Sequence, residues 1–332
     1  METALIALDW GTTSLRAYRI DADGLVLDQR AFDSGIMQLP DTPRDIAGSP
    51  CSDGFELAFD EACGDWLDAQ PELPVIACGM VGSAQGWREA TYRETPASLA
   101  SLADALVTVR SQRGVTLHII PGVLQRSRLP NVMRGEETQV LGIIASLDAA
   151  EREQPLLIGL PGSHSKWVRA AGGYIEHFDT FMTGEVYAAL CNHTILGRTQ
   201  QRGAPFDAEA FDRGVSVARS DDGVAGPLST IFSSRTLGLT GQLSGAAQAD
   251  YLSGLLIGHE IVALTQLLRS NTQGLPPVVL IGGKALLTRY QRALRACGFP
   301  STTQAEQATP RGLWQVAAQA GLLRAQPGHA GV

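Results

Sequence analysis

Three short segments of this chain combine residue types that handle phosphate and metal. Asp9 stands at the end of an apolar run and is followed by Trp10-Gly11-Thr12-Thr13. A carboxylate placed there can hold Mg²⁺ directly or through water. Gly11 lets the backbone N–H groups of Thr12 and Thr13 approach phosphate oxygens, and Arg16 adds positive charge on the strand beyond. The segment Pro161-Gly162-Ser163-His164-Ser165-Lys166 offers the same chemistry, with Lys166 close to the turn. A plain hairpin turn would account for either segment without a ligand. Ser163 and His164 are neighbours that point to opposite faces of a strand, and no orienting acid is apparent, so nucleophilic catalysis is not inferred. A Walker A loop is absent, and Ile281-Gly282-Gly283-Lys284 has the wrong spacing for one. There a strand ends in Gly282 and Gly283 before a helix, which suits an adenine ring or ribose as well as an ordinary strand–helix turn.

Carboxylates and arginines mark a second kind of chemistry. Glu136 and Glu137 follow Arg134-Gly135 at a predicted helix start, where the helix dipole favours acids. A carboxylate within reach of an alcohol also serves as general base in phosphoryl transfer, and Glu136 is the candidate. The stretch Met80–Tyr92 follows a predicted strand end, where open α/β sheets take ligands. It carries Ser83, Gln85, Trp87, Arg88 and Tyr92. Trp87 suits either the core or the carbon chain of a substrate. Arg88 and Arg134 are both candidates for a carboxylate, which arginine grips bidentately, or for surface ion pairs. Glu185 and Glu260 read as structural, and Trp167 as a packing residue.

The elements that must position these groups repeat along the chain. Ala4–Leu8, Leu15–Ile20 and Leu25–Phe32 read as strands separated by polar turns. A second copy starts near residue 155, and setting Gly11 on Gly162 aligns the following turns to within about two residues. Coincidence of two ordinary hairpins is the alternative. Elsewhere the pattern predicts helices over Phe55–Gln70, Ala97–Val109, Thr138–Ala149, Glu185–Leu196, Tyr251–Arg269, Thr288–Cys297 and Leu313–Leu323. Strands are expected at Pro74–Cys78, Val115–Ile120 and Pro277–Ile281. The expected class is α/β with a mixed sheet in each of two halves and a cleft between them: residues 1–148, residues 149–325 and a tail, 326–332.

With 332 residues, 44% apolar and 18% charged, the chain can bury two cores. A net charge of −8 without a basic cluster argues against nucleic acid. No uninterrupted run of eighteen apolar residues argues for a membrane span, and the first residues do not resemble a secretory signal. The five cysteines, at 51, 63, 78, 191 and 297, form no CxxC pair. They read as reduced thiols of a cytoplasmic protein rather than a zinc site.

Taken in order, these segments resemble the actin-like ATPase and sugar-kinase superfamily. Asp9–Thr13 and Gly162–Lys166 are similar to its two phosphate motifs, Ile281–Lys284 to its adenosine motif. Gly135-Glu136 is similar to the Gly-Asp element that carries the base in glycerol-type kinases, with Glu in place of Asp. The resemblance sharpens to the 2-dehydro-3-deoxygalactonokinase family through Asp9–Ala17, Cys78–Trp87, Val132–Gln139, Pro161–Trp167, Met182–Glu185 and Tyr251–Gly258. Ser163, where Thr is commoner, and Ala90-Thr91-Tyr92, for a commoner Ala-Pro-Tyr, are small departures. The resemblance implies a two-domain actin-like, ribonuclease H-like fold with ATP and Mg²⁺ as cofactors. It implies phosphorylation of 2-dehydro-3-deoxy-D-galactonate at O6 in galactonate breakdown, with Asp9 and Glu136 catalytic. Two other readings stay open: a kinase of another small sugar acid, such as 2-dehydro-3-deoxygluconate, and an actin-like nucleotide-gated interaction protein. The expected partner is the sugar acid, with neither nucleic acid nor membrane, and a homo-oligomer is compatible with each reading.

Overall fold

The apolar octapeptide Thr3–Trp10 forms β1, buried along most of its length as a central strand must be. Residues 2–269 and 274–323 are described by this computed structural model; the expected tail at 326–332 lies outside them. After β1 come β2 (Leu15–Asp21), β3 (Val26–Phe32), β4 (Arg44–Ile46) and β5 (Ser49–Cys51). Helix α1 (Gly54–Ala69) starts where the Asp53 carboxylate accepts from the N–H groups of Phe55 and Glu56 at 2.8 and 3.2 Å, an N-cap. Its Leu57, Phe59, Ala62, Cys63, Trp66 and Leu67 are buried. Strand β6 (Val75–Gly79) is fully buried and lies parallel to β1.

The stretch 97–109 is not the single helix its composition suggests. It divides into β8 (Ala97–Ser98), which follows β7 (Arg93–Glu94), then the short α2 (Leu99–Ala103) and β9 (Val107–Arg110). Val107-Thr108-Val109-Arg110 alternates half-buried and exposed, and its β-branched residues pair antiparallel with β10 (Thr116–Ile119). Next come β11 (Val123–Gln125), β12 (Asn131–Met133), α3 (Glu136–Ser146) and α4 (Ala149–Glu153). The first sheet runs β3-β2-β1-β6-β10-β9, and a smaller one runs β12-β11-β7.

The anticipated second copy is present: β13 (Leu156–Leu160), β14 (Ser165–Ala171) and β15 (Tyr174–Phe181). Both copies leave residues of the same count, 11–14 and 161–164, between their first two strands. The copies then diverge. Helices α5 (Thr183–His193), α6 (Ala208–Arg219), α7 (Pro227–Thr230), α8 (Ser233–Leu239) and α9 (Gln248–Arg269) precede β16 (Val278–Ile281). Helix α10 (Lys284–Ala296), β17 (Thr302–Ala305) and α11 (Ala308–Gln319) complete the order. Strand β16 is parallel to β13 as β6 is to β1, and β17 is parallel to β16. Hairpin, helix and parallel strand in each copy make this the actin-like, ribonuclease H-like α/β arrangement.

Two compact units result. One comprises Met1–Gln154, Arg169–Phe178 and the chain from Gln307 onward; the other comprises Pro155–Val168 and Asp179–Glu306. Helix α11 therefore groups with the first unit, where Gly312 meets Gly142 of α3 and Gln139 donates to Thr309 at 2.9 Å. Helix α9 is long and apolar enough to cross a membrane by length and composition, but most of it is buried. Its Gly254 and Gly258 let α6 approach at Phe211 and Val215.

Candidate functional site

In the first unit the candidate residues converge where β1, β6 and α3 meet. Asp9 pairs across β1–β2 with Arg16 and across β1–β6 with Cys78. Its Oδ2 lies 3.3 Å from Arg16 Nη1, and its Oδ1 lies 4.0 Å from Cys78 Sγ. Burial pushes the Asp9 carboxyl above the ordinary range, and Arg16 only partly opposes this. The following turn is closed by Gly11 N–H donating to Ser14 O at 2.9 Å. It is braced from outside, where Ile36 N–H donates to Gly11 O and Met37 N–H to Thr12 O, each at 3.1 Å. Thr12 and Thr13 stand exposed.

The start of α3 sits against the end of β6. Gly79 has φ +94° and Gly135 φ +103°, both in the region that favours glycine. A Cβ on Gly79 would fall 2.7 Å from Trp10 O, and one on Gly135 would fall 3.3 Å from Gly79 Cα. This close approach brings Glu136 and Glu137 to Asp9's neighbourhood. The Cys78 thiol registers it: burial raises its pKa, and the charges of Asp9, Glu137 and Glu136 raise it further.

The two adjacent acids have different surroundings. Glu137 is fully buried, and its Oε2 accepts from Gly135 N–H at 2.7 Å while its Oε1 accepts from Thr138 Oγ1 at 2.9 Å. Burial, then the charge of Glu136, pushes Glu137 up to about 8. Glu136 is only partly buried and accepts from Arg134 N–H through Oε2 at 3.0 Å. A carboxyl whose pKa is raised on folding stabilises the fold fully below its unfolded value, and that contribution is lost as pH rises through its folded value. Glu137→Gln should therefore gain in Tm over the wild type progressively between about pH 5 and 8. A Tm difference that stays constant across that range would show that Glu137 is ionised throughout.

Of the expected substrate-side residues, Arg134 and Tyr92 come together, and Arg134 also reaches Gly82, the chain neighbour of Ser83. Ser83 is buried, and its Oγ finds no hydrogen-bond partner among the described residues. The Arg134 guanidinium lies 4.4 Å from the Tyr92 ring centroid and donates through Nη2 to Ala90 O at 2.8 Å. Its Nε and Nη1 are buried without a partner among the described residues, and Nη1 is 2.9 Å from where a Cβ on Gly82 would stand. Gln85 and Arg88 are exposed. Trp87 stacks on Phe55 at 5.9 Å and meets Trp10 and Phe59 at 5.9 and 5.7 Å. It is a wall of the core, and any substrate contact falls to its remaining exposed part.

In the second unit, residues 161–164 form the other turn. Gly162, Ser163 and His164 are accessible. Lys166 is buried, with Nζ donating to Thr180 Oγ1 at 2.9 Å. Sequence reasoning missed the support that α5 supplies. Glu185 N–H donates to Ser163 O at 3.0 Å, the Glu185 carboxylate meets His164 Nε2, and Gly184 is pressed against Gly162 O so tightly that a Cβ would clash. The Met182-Thr183-Gly184-Glu185 run was the available signal. Gly282 and Gly283 are exposed at the end of β16, and a Cβ on Gly283 would meet only open space.

Among the described residues no group of three or more His, Cys, Asp or Glu side chains could hold a metal ion. Asp9 nonetheless fits Mg²⁺: the ion commonly binds one or two carboxylates together with substrate phosphates and water. A desolvated carboxylate only partly balanced by Arg16 has most to gain from a cation.

The family model described as 2-keto-3-deoxy-galactonokinase matches residues 9–316. A Rhizobium meliloti (strain 1021) protein named "Probable 2-dehydro-3-deoxygalactonokinase DgoK1" is 38% identical over 315 residues, spanning 92% of this chain and 94% of the relative. A 2-dehydro-3-deoxygalactonokinase of Escherichia coli (strain K12) is 33% identical over 309 residues, with the same two coverages of 92% and 94%. A crystal structure from Sinorhizobium meliloti, named for the same activity, superposes with a TM-score of 0.81 at 36% identity, covering 94% of this chain and 98% of that one.

Proposed function

The chain belongs to the 2-keto-3-deoxy-galactonokinase family, and from that premise we propose that its residues catalyse direct, in-line transfer of the γ-phosphoryl group of ATP to O6 of 2-dehydro-3-deoxy-D-galactonate. The protein is a kinase whose substrate is this small sugar acid, an activity that fits galactonate breakdown. The observation that carries the residue assignment is the convergence of Asp9 and Glu136 on the end of β6 beside Gly79. Glu137 next door is fully buried, whereas Glu136 is only partly so.

Glu136 takes the proton of the acceptor hydroxyl. The oxygen then forms its bond to the γ-phosphorus as the bond to the ADP oxygen breaks, and ADP leaves. The backbone of Gly11–Thr13 would donate to phosphate oxygens, and the turn Gly162–His164 of the second unit carries the same kind of backbone donors. Gly282 and Gly283 leave room for the adenosine. Asp9 would hold Mg²⁺, which offsets the negative charge of the phosphates when bound. Released from Asp9, Arg16 would add a charge toward the same phosphates.

Arg134 and Ser83 receive the substrate carboxylate in this reading. Their buried donors lack partners among the described residues, and such groups are costly unless a ligand satisfies them. Arg88, exposed, is the weaker candidate. Cytoplasmic location is part of the proposal: Cys51, Cys63, Cys78, Cys191 and Cys297 are all free thiols, as a reducing compartment keeps them.

One assay tests the assignment. ADP release is measured with 2-dehydro-3-deoxygalactonate, its gluconate-derived epimer and related sugar acids, for wild type and Arg134→Met. The galactonate-derived compound should give the highest kcat/KM. Arg134→Met should raise its KM by about tenfold or more, the scale of a lost charged hydrogen bond, with the KM for ATP unchanged. An unchanged sugar-acid KM would remove Arg134 from the site.

A further inference from the structure

Behind the second turn lies a buried polar network that the proposed mechanism does not use. Glu260 of α9 is 3% exposed. Its Oε1 accepts from Trp167 Nε1 at 2.7 Å, and its Oε2 accepts from Tyr290 OH at 2.8 Å. The Thr183 and Ser165 hydroxyls also favour the ionised form of this carboxyl. Tyr290 OH lies 2.8 Å from Ser165 Oγ, which in turn faces Gly162 N–H at 3.5 Å. Ser165, Trp167 and Tyr290 are themselves buried.

These partners come from the segments that shape the nucleotide side. Ser165 and Trp167 open β14, directly after residues 161–164. Thr183 is the first residue of α5, whose Gly184 and Glu185 brace Gly162 and Ser163. Tyr290 is on α10, which begins straight after Gly282 and Gly283. A carboxyl this deeply buried costs stability unless its hydrogen bonds are satisfied. Here they join β14, α9 and α10 beneath the second turn. Burial pushes Glu260 up to about 7 while its hydrogen-bond donors oppose the rise.

We propose that Glu260, acting through Tyr290 and Ser165, is a positioning residue that sets the second phosphate turn and the start of α10 in register for one nucleotide. The inference rests on the reading that Gly162–His164 contacts ATP phosphates. Removing a hydroxyl of the chain lets the turn move relative to α10. Nucleotide affinity then falls while the sugar-acid site, built in the other unit, is untouched.

The test measures ADP binding by equilibrium dialysis and steady-state kinetics on the full chain. Tyr290→Phe and Ser165→Ala each keep the core filled, and each should weaken ADP binding about three- to tenfold, the scale of one lost hydrogen bond. The KM for ATP should rise in parallel, with the sugar-acid KM and saturating kcat within about twofold of wild type. The double variant should be no weaker than the worse single, because both cut the same chain. Glu260→Gln, which keeps an acceptor for Trp167 and a partner for Tyr290, should bind ADP nearly as wild type, whereas Glu260→Leu should not. Unchanged ADP affinity in both Tyr290→Phe and Ser165→Ala overturns the proposal. So does an equal rise in both KM values, which would mark a merely structural role. Ser163→Asp separates the underlying reading: a carboxylate there should repel ADP. If it does not, the assignment of the turn fails, whatever the network does.

Discussion

Asp9→Asn should fold normally and lose at least about three orders of magnitude in kcat, equivalent to about 4 kcal/mol of transition-state stabilisation. The substitution is isosteric and removes only charge. In the folded chain that charge is desolvated and balanced by a single guanidinium at 3.3 Å. Its loss should leave Tm unchanged or slightly higher, because a buried carboxyl held above its ordinary pKa does not favour the fold at neutral pH. The catalytic loss has a separate cause: without a carboxylate at the end of β1, the γ-phosphoryl group and Mg²⁺ lose their common anchor. Titration with Mg²⁺ checks this, since the variant should need a higher concentration for its residual rate. A kcat within tenfold of wild type would end the assignment.

Glu136→Gln should lower kcat by about two to four orders of magnitude, the range for a general base, while ATP affinity stays near wild type. The glutamine oxygen can still accept from Arg134 N–H, so the start of α3 should keep its geometry. What it cannot do is take a proton. The acidic limb of the pH–rate profile should accordingly flatten in the variant. The neighbouring acid provides the contrast: Glu137 is enclosed, with both oxygens bonded to Gly135 and Thr138. Turnover that survives Glu136→Gln but collapses in Glu137→Gln would transfer the role to Glu137, despite its burial.

Much of the scaffold was legible because its signals are local. The strand runs at Thr3–Trp10 and Leu156–Leu160, the Gly-bearing turns after them and the helix start at Glu136 are each set within a few residues. The misread stretch 97–109 shows the limit. Its Ser- and Ala-rich beginning allows a helix, but pairing of Val107–Arg110 with Thr116–Ile119 decides otherwise. Helix α6 was passed over although Asp207 caps it, accepting from Glu209 and Ala210 N–H at 3.1 and 3.0 Å.

The sequence by itself determined the chemistry on offer: two hydroxyl- and glycine-bearing turns in a duplicated hairpin, an acid at the first strand's end, and a pair of acids at a helix start. Only tertiary structure decided which groups can use it. Burial separates Glu136 from Glu137, three aromatic rings pack against Trp87, buried donors without a partner among the described residues set Arg134 apart from the exposed Arg88, and Glu260 becomes a junction of β14, α5 and α10. The reason is physical: a side chain's type and its immediate neighbours are written locally. Its exposure, protonation and partners depend on residues tens to more than a hundred positions away, as the Ser165–Tyr290 contact does, with a separation of 125.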